Sequence, residues 1–226
     1  MSNTVLVLKK LCKTFESADE KLSIIDGLDL TVRERTKTVI LGESGCGKST
    51  LLNIIGGLET ATSGSIQAGP YPVHELDEKG LSSYRSSFLG LVFQFHYLLK
   101  DFTALENVML PAWMGGMRRK EAVERARSLL EDVKLESRMN HYPAQMSGGE
   151  RQRAAVARAL VNDPDLVLAD EPTGNLDPAN AETVRDLLFS VVSKRGNTLI
   201  LVTHDREIAK LADDCYSLQD GRLVKQ

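Results

Sequence analysis

Apolar residues along the chain follow a strand rhythm at both ends and a helical one in the middle. Short runs at 5–8 and 28–32 have strand length, and a polar, hairpin-like segment around Ser17 to Lys21 separates them. Next comes Thr38-Val39-Ile40-Leu41, uninterrupted and rich in β-branched residues, then a glycine-rich stretch, then Leu51-Leu52-Asn53-Ile54-Ile55, which continues as a helix. Glycine and proline between 64 and 72 mark turns ahead of a polar, charged stretch. From 97 to 139 the spacing turns helical. Ala122, Val123, Ala126, Leu129, Leu130 and Val133 share one face, and Glu121, Glu124, Arg125, Arg127 and Glu131 the other. Beyond this helical lobe, strands and helices alternate again. Runs at 166–169 and 199–202 are apolar throughout, as strands covered on both faces must be, and helices fit at 150–161 and 178–194. A last pair at 215–218 and 222–224 flanks Gln219-Asp220-Gly221, a hairpin signal. The pattern predicts an α/β core with an inserted helical lobe and antiparallel strands at its edges.

Composition narrows the classes without choosing among them. With 226 residues, 42% hydrophobic and 26% charged, the chain can bury one full core. A net charge of −3, with no long block of one sign, gives no field for coating nucleic acid, and none is expected as a partner. No apolar run has membrane-spanning length, and Met1-Ser2-Asn3-Thr4 leads into a strand-like run rather than a signal peptide, so the expectation is a cytosolic chain. Cys12, Cys46 and Cys215 are few, odd in number and widely spaced, which reads as reduced thiols rather than a zinc site or a disulfide frame.

The chemistry begins at Gly42-Glu43-Ser44-Gly45-Cys46-Gly47-Lys48-Ser49-Thr50, which reads G-x-x-x-x-G-K-[ST] between a strand and a helix. Glycines there let consecutive backbone N–H groups turn toward a triphosphate at the positive end of the helix. Lys48 adds a cation for the outer phosphates, and Ser49 offers a hydroxyl to magnesium. A second element is the acidic pair that ends the strand at 166–169. Asp170 is placed to hold the magnesium ion, through water, and Glu171 to face a water in line with the γ-phosphate as general base. An isolated Asp-Glu pair after a strand is ordinarily a solvated loop; the phosphate loop is what gives it a task.

A third stretch, Met146-Ser147-Gly148-Gly149-Glu150-Arg151-Gln152, opens another helix with free amides and a hydroxyl shaped for phosphate. A capping serine accounts for Ser147 alone, but not for the whole run. One nucleotide has one triphosphate, so the economical arrangement is two chains head to tail, each covering the other's nucleotide.

Together with Asp170-Glu171-Pro172-Thr173-Gly174-Asn175-Leu176-Asp177, Thr203-His204-Asp205 and Gln94, these motifs resemble, over the full length, the ATP-binding subunit of an ATP-binding cassette transporter. Within that family, residues 90–99 and 101–108 are similar to the lipoprotein-releasing ATPases, and less so to the macrolide-exporter class and the cell-division ATPases. The resemblance implies a RecA-like P-loop NTPase core at 1–94 and 157–226 with an antiparallel β edge, and a helical subdomain at 95–156 carrying the signature motif. It implies ATP and Mg2+, a homodimer through shared ATP sites, and integral membrane permease subunits that hold the chain on the cytoplasmic face of the inner membrane. Residue by residue, it gives Gly42, Ser44, Gly45, Cys46, Gly47, Lys48, Ser49 and Thr50 to the phosphates and magnesium, and Gln94 to magnesium and the attacking water. Ser147, Gly148, Gly149 and Asp177 go to the partner's nucleotide or across the dimer, His204 to the γ-phosphate and Glu171, and Phe15 to the adenine.

Two departures stand out: Arg35-Thr36 where the family usually has glycine before its phosphate-loop strand, and Met146 and Glu150 where leucine and glutamine are commonest. Two functions stay open at this point, an ATPase driving release of lipoproteins or export of amphiphiles, and a non-transport signalling ATPase of the cell-division kind. A soluble kinase has no use for a second phosphate-binding helix start. The aromatic stretch from Phe95 to Asn107 is the expected docking groove for a cytoplasmic helix of the membrane partner.

Overall fold

The first two strands pair along their length, and the sequence pattern alone had shown only part of each. A computed structural model describes residues 3–16 and 21–226. Met1, Ser2 and, apart from Lys21, the expected hairpin segment lie outside those residues. In chain order the elements are β1 (Thr4–Glu16), β2 (Lys21–Arg33), β3 (Lys37–Leu41), α1 (Lys48–Ile55), β4 (Ser63–Ala68), β5 (Tyr71–Pro72) and α2 (Glu78–Ser87). They continue as β6 (Leu89–Val92), α3 (Ala104–Met114), α4 (Arg119–Asp132), α5 (Gly148–Leu160), β7 (Leu166–Asp170) and α6 (Pro178–Arg195). The chain ends with β8 (Thr198–Thr203), α7 (Arg206–Ala209), β9 (Asp214–Gln219) and β10 (Arg222–Lys225). These elements form two units, one from 1–85 with 198–226 and the other from 86–197.

In the first unit an antiparallel sheet runs β2-β1-β4-β5. The sequence pattern found only 5–8 and 28–32 because β1 is irregular: its register against β2 shifts between Leu8 and Leu11, again before Lys13, and again before Thr14. Lys10 sits at φ 47°, and each shift breaks the alternation of period two that marks a strand. The same irregularity corrects the reading of 64–72 as turns. Residues 63–68 form β4, and Gly64, at φ 91°, is there because a Cβ would come within 2.5 Å of the Lys10 carbonyl oxygen. Only the step between β4 and β5 is the expected turn.

In the same unit β3 lies between β8 and β9, parallel to both, and β10 returns antiparallel on β9. Every residue of β8 is buried, as are Thr38, Val39 and Ile40 of β3. Leu51, Leu52, Ile54 and Ile55 of α1 are buried as well, so the helix that follows β3 is fixed by its apolar face.

In the second unit β6 pairs in parallel with β7. Packing of α5 on β6 is close enough that a Cβ on Gly90 would lie 2.4 Å from the Ala159 carbonyl oxygen. The apolar face expected of α4 is buried, with Val123 half-exposed beside it. The helical reading of 97–139 needs correction at its start, because residues 97–103 are not helical. Asn107, 1% exposed, accepts from Leu99 N (2.7 Å) and donates to the carbonyls of Leu99, Phe102 and Thr103, each at 3.0 Å. This one buried amide satisfies the backbone of a turn that precedes the helix, where part-buried polar groups would otherwise lack partners. Thr103 and Glu106 then start α3 with a reciprocal capping box.

Candidate nucleotide site

The glycine-rich loop begins where β3 ends and closes at α1, whose N-cap Gly47 has φ 103° and brings no side chain to the helix start. A Cβ on Gly47 would lie 2.5 Å from Cγ2 of Ile24, so both conformation and space exclude a side chain. Gly45, at φ 81°, has open space around it and needs glycine for conformation alone. The Lys48 ammonium turns back over the loop and donates to the carbonyls of Gly42 (2.9 Å) and Glu43 (2.8 Å). The loop thus ends at the positive end of α1, where an anion is favoured.

Gly42, Glu43 and Cys46 line an open depression of about 740 Å³ that His204 and Cys215 also line. His204 follows the last residue of β8 in a turn pinned on its far side. Asp205 N donates to Thr203 Oγ1 (3.1 Å), and Asp205 Oδ1 accepts from Glu207 N (2.9 Å) to cap α7. Phe15 is not among the residues lining this depression. Its ring is 42% exposed, with the Lys13 ammonium 4.6 Å from the ring centre. Glu59 (2.7 Å) and the Thr60 carbonyl (2.8 Å) hold that ammonium in place, and its hydrogen bond keeps the Glu59 carboxyl below the usual range.

In the second unit Ser147 is the N-cap of α5. Its hydroxyl accepts from Glu150 N (3.2 Å), and the Glu150 carboxylate accepts from Ser147 N (2.7 Å) and from Arg138 Nε (2.9 Å). The backbone bond from Ser147, opposed by partial burial and reinforced by Arg138, holds the Glu150 carboxyl below its ordinary value. Serine is therefore a cap here, and the Ser147 and Glu150 amides are used, which leaves the helix tip to the amides of Gly148 and Gly149. The two glycines differ. A Cβ on Gly149 would lie 2.5 Å from Asn180 Oδ1, whereas one on Gly148 meets only Leu176 Cδ2 at an ordinary 3.4 Å. Asp177 caps α6 through Asn180 N (3.1 Å) and grips Asn180 Nδ2 (2.6 Å), so Asn180 links Asp177 to Gly149.

Asp170 closes β7, and Glu171 follows at φ 41°, a left-handed conformation costing on the order of 1–3 kcal/mol in a non-glycine residue. The turn after it is tight: Gly174 N donates to the Glu171 carbonyl at 3.0 Å. Gln94 is tied to that turn twice, donating to Asn175 Oδ1 (3.2 Å) and accepting from Asn175 Nδ2 at its carbonyl (3.3 Å). A family model described as "ABC transporter" matches residues 25–174.

The chain belongs to the ABC transporter family. It is an ATPase of the ATP-binding cassette type, with the α/β fold of that family. The lipoprotein-releasing system ATP-binding protein LolD of Treponema denticola is 66% identical over 223 residues, covering 99% of each chain. LolD of Treponema pallidum is 54% identical over 225 residues and all of both chains. Among solved structures, the ATP-binding cassette MJ0796, a dimer in a post-hydrolysis state bound to ADP and Pi, superposes with a TM-score of 0.89 at 37% identity, covering 98% of this chain and 97% of that one.

Of the ABC residues named from sequence, the structure brings the loop residues Gly42 and Cys46 to one depression with His204, and joins Gln94 to the turn after Glu171. Three residues that sequence reasoning gave no task are holding residues: Asn175 for Gln94, Asn180 between Asp177 and Gly149, and Arg138 for Glu150. Asn175 lay inside a quoted motif, yet nothing in its type or spacing says which side chain it meets. The exchange of glutamine for Glu150 has a local cause, since only the carboxylate gains the charge-assisted bond to Arg138.

Proposed function

We propose that this chain powers a lipoprotein-releasing transporter by closing in pairs on ATP and opening after hydrolysis. The observation that carries this is the presence of two separate glycine-containing helix starts, at Gly47–Lys48 and at Ser147–Gly148–Gly149, on one chain, where a single triphosphate needs one. The dimeric state of the MJ0796 cassette and the LolD name of the full-length relatives support it. Lys48, Ser49, Thr50 and the amides from Gly42 to Gly47 hold the phosphates, with Ser44 and Cys46 on the loop's flank. Ser147, Gly148 and Gly149 cover the nucleotide bound by the other chain, Asp177 faces the dimer, and Phe15 stacks on adenine.

Glu171 accepts a proton from the water whose oxygen attacks the γ-phosphorus. The bond from that phosphorus to the β–γ bridging oxygen breaks, giving ADP and phosphate. Gln94 orients the water, and His204 contacts the γ-phosphate. Ser49, Gln94 and, through water, Asp170 form an all-oxygen donor set that suits Mg2+, whose bound charge offsets that of the phosphates. Among the described residues no helix is long and apolar enough to cross a membrane. The transport path then belongs to permease subunits, with this chain peripheral on their cytoplasmic side. Exposed Phe95, Tyr97, Leu99 and Phe102, the last two held at their backbone by Asn107 and Tyr97 by Arg158, form the face for a permease helix.

Glu171→Gln tests the reading. With ATP and Mg2+ the variant accumulates as a dimer by light scattering, because proton removal fails while binding persists. A variant that binds ATP and stays monomeric overturns the shared site.

A further inference from the structure

The turn between α3 and α4 places exposed apolar side chains beside exposed cations. Trp113 and Met114 are 48% and 77% exposed at the end of α3, and Arg118, Arg119 and Lys120 follow, all exposed. The turn is built rather than loose. Gly115 N donates to the Pro111 carbonyl (3.0 Å), Gly116 N to that of Trp113 (3.0 Å) and Met117 N to that of Ala112 (3.1 Å). Gly116 takes φ 95° to complete it.

Helix stability does not explain the cations. They stand at the start of α4, where the helix's own positive end disfavours them, and no side chain caps that start. Among the described residues none of the three is in an ion pair; the Glu106 carboxylate acts on Arg119, and Glu121 is the acid of the first turn. A buried or paired role would have removed this cost, and an anionic surface outside the chain removes it too.

We propose that this turn is a membrane-surface contact: Trp113 and Met114 enter the headgroup region, and Arg118, Arg119 and Lys120 pair with anionic phospholipid headgroups. Charge complementarity selects lipid over a protein helix as the occupant. Residues 95–102, the aromatic face assigned above to a permease, balance Lys100 against Asp101, whereas residues 113–120 carry three cations and no acid. An indole beside flexible basic side chains is the composition that settles at a bilayer interface, and a polybasic cluster adds attraction to anionic lipid. Because the whole chain has a net charge of −3, attraction to an anionic bilayer has to come from a local patch. The proposal takes its purpose from the transporter reading, but it is measured apart from it.

Trp113 is the one tryptophan of the sequence, so its emission reports the contact directly. Full-length protein is titrated with vesicles of phosphatidylcholine alone and of phosphatidylcholine mixed with phosphatidylglycerol. The expected result is a blue shift with the mixed vesicles, little with the neutral ones, and reversal by high salt. Arg118→Gln, Arg119→Gln and Lys120→Gln together lower the partition coefficient roughly 100-fold. Met114→Asp weakens partitioning as well. ATPase activity in solution is unchanged in both variants, which separates this claim from the catalytic one. Equal shifts with both vesicles, no shift with either, or a triple variant that partitions like the parent overturns the proposal. So does a shift that appears only when permease subunits in detergent are added, since the occupant is then protein.

Discussion

Asn107→Ala removes a single side chain from the second unit, and its cost can be worked from the bonds. The amide makes four contacts, yet two of its partners have others. Thr103 O also accepts from the Asn107 backbone N–H (2.9 Å), and Leu99 O also accepts from Phe102 N (3.2 Å). Truncation therefore orphans two groups, Leu99 N and Phe102 O. At about 1–3 kcal/mol for each buried unsatisfied group, less whatever water reaches the segment, the loss comes to about 3 kcal/mol. For a chain of this size that lowers the melting temperature by roughly 6–12 °C. Asn107→Leu, of similar volume, does no better, because the cost is polar rather than steric. Scanning calorimetry with and without ATP measures it. The same segment carries Tyr97, Leu99 and Phe102, so the purified variant keeps its basal ATPase activity while coupling to membrane subunits falls. A melting temperature within about 2 °C of the parent would show that these bonds are not holding the segment, and the reasoning would fail.

Two further predictions concern the start of α5. Glu150 has its carboxyl pKa depressed in the folded state, so its contribution is present above the unfolded value, that of an ordinary glutamate carboxyl near 4.5, and is lost as pH falls through the lower folded value. Glu150→Gln keeps the capping box and loses the Arg138 charge pair. Its melting temperature falls by an amount worth less than about 1 kcal/mol at neutral pH and the difference from the parent shrinks in acid; a difference that grows as pH drops reverses the sign and refutes the assignment. Gly149→Ala pushes a Cβ onto Asn180 and lowers stability, and adding Asn180→Ala restores most of it. A double variant no more stable than Gly149→Ala alone would place the clash elsewhere.

What could be read from sequence was mostly what is local. The phosphate loop, the acidic pair and the signature run each consist of neighbours whose order is the motif, and the strands and helices around them have clean periods. The helices at 150–161 and 178–194 lie within two residues of α5 and α6 at every end. Periodicity failed where a partner far along the chain decides the backbone. The irregular pairing of β1 conceals more than half of it, and β4 looks like turns because Gly64 exists to let Lys10 approach. Asn107 reads as one polar residue in a helix, although its task is to make the preceding residues something other than helix.

Arg35 shows the same limit from the opposite side. Its position, where the family usually has glycine, raised a question about the turn before the phosphate-loop strand, and the residue does take φ 60° there. A left-handed arginine costs on the order of 1 kcal/mol relative to glycine. Three hydrogen bonds hold the turn against that cost: Arg35 N to Thr198 Oγ1 (3.0 Å), Thr36 Oγ1 to the Arg33 carbonyl (2.8 Å), and Leu199 N to the Thr36 carbonyl (3.0 Å). Each is worth about 1 kcal/mol net, so together they exceed the strain. Two of the three come from the start of β8, the strand that pairs with β3 and leads into His204. The missing glycine is thus compensated from the neighbouring strand, and β3 delivers the phosphate loop in the usual register because two residues some 160 positions later supply the bonds.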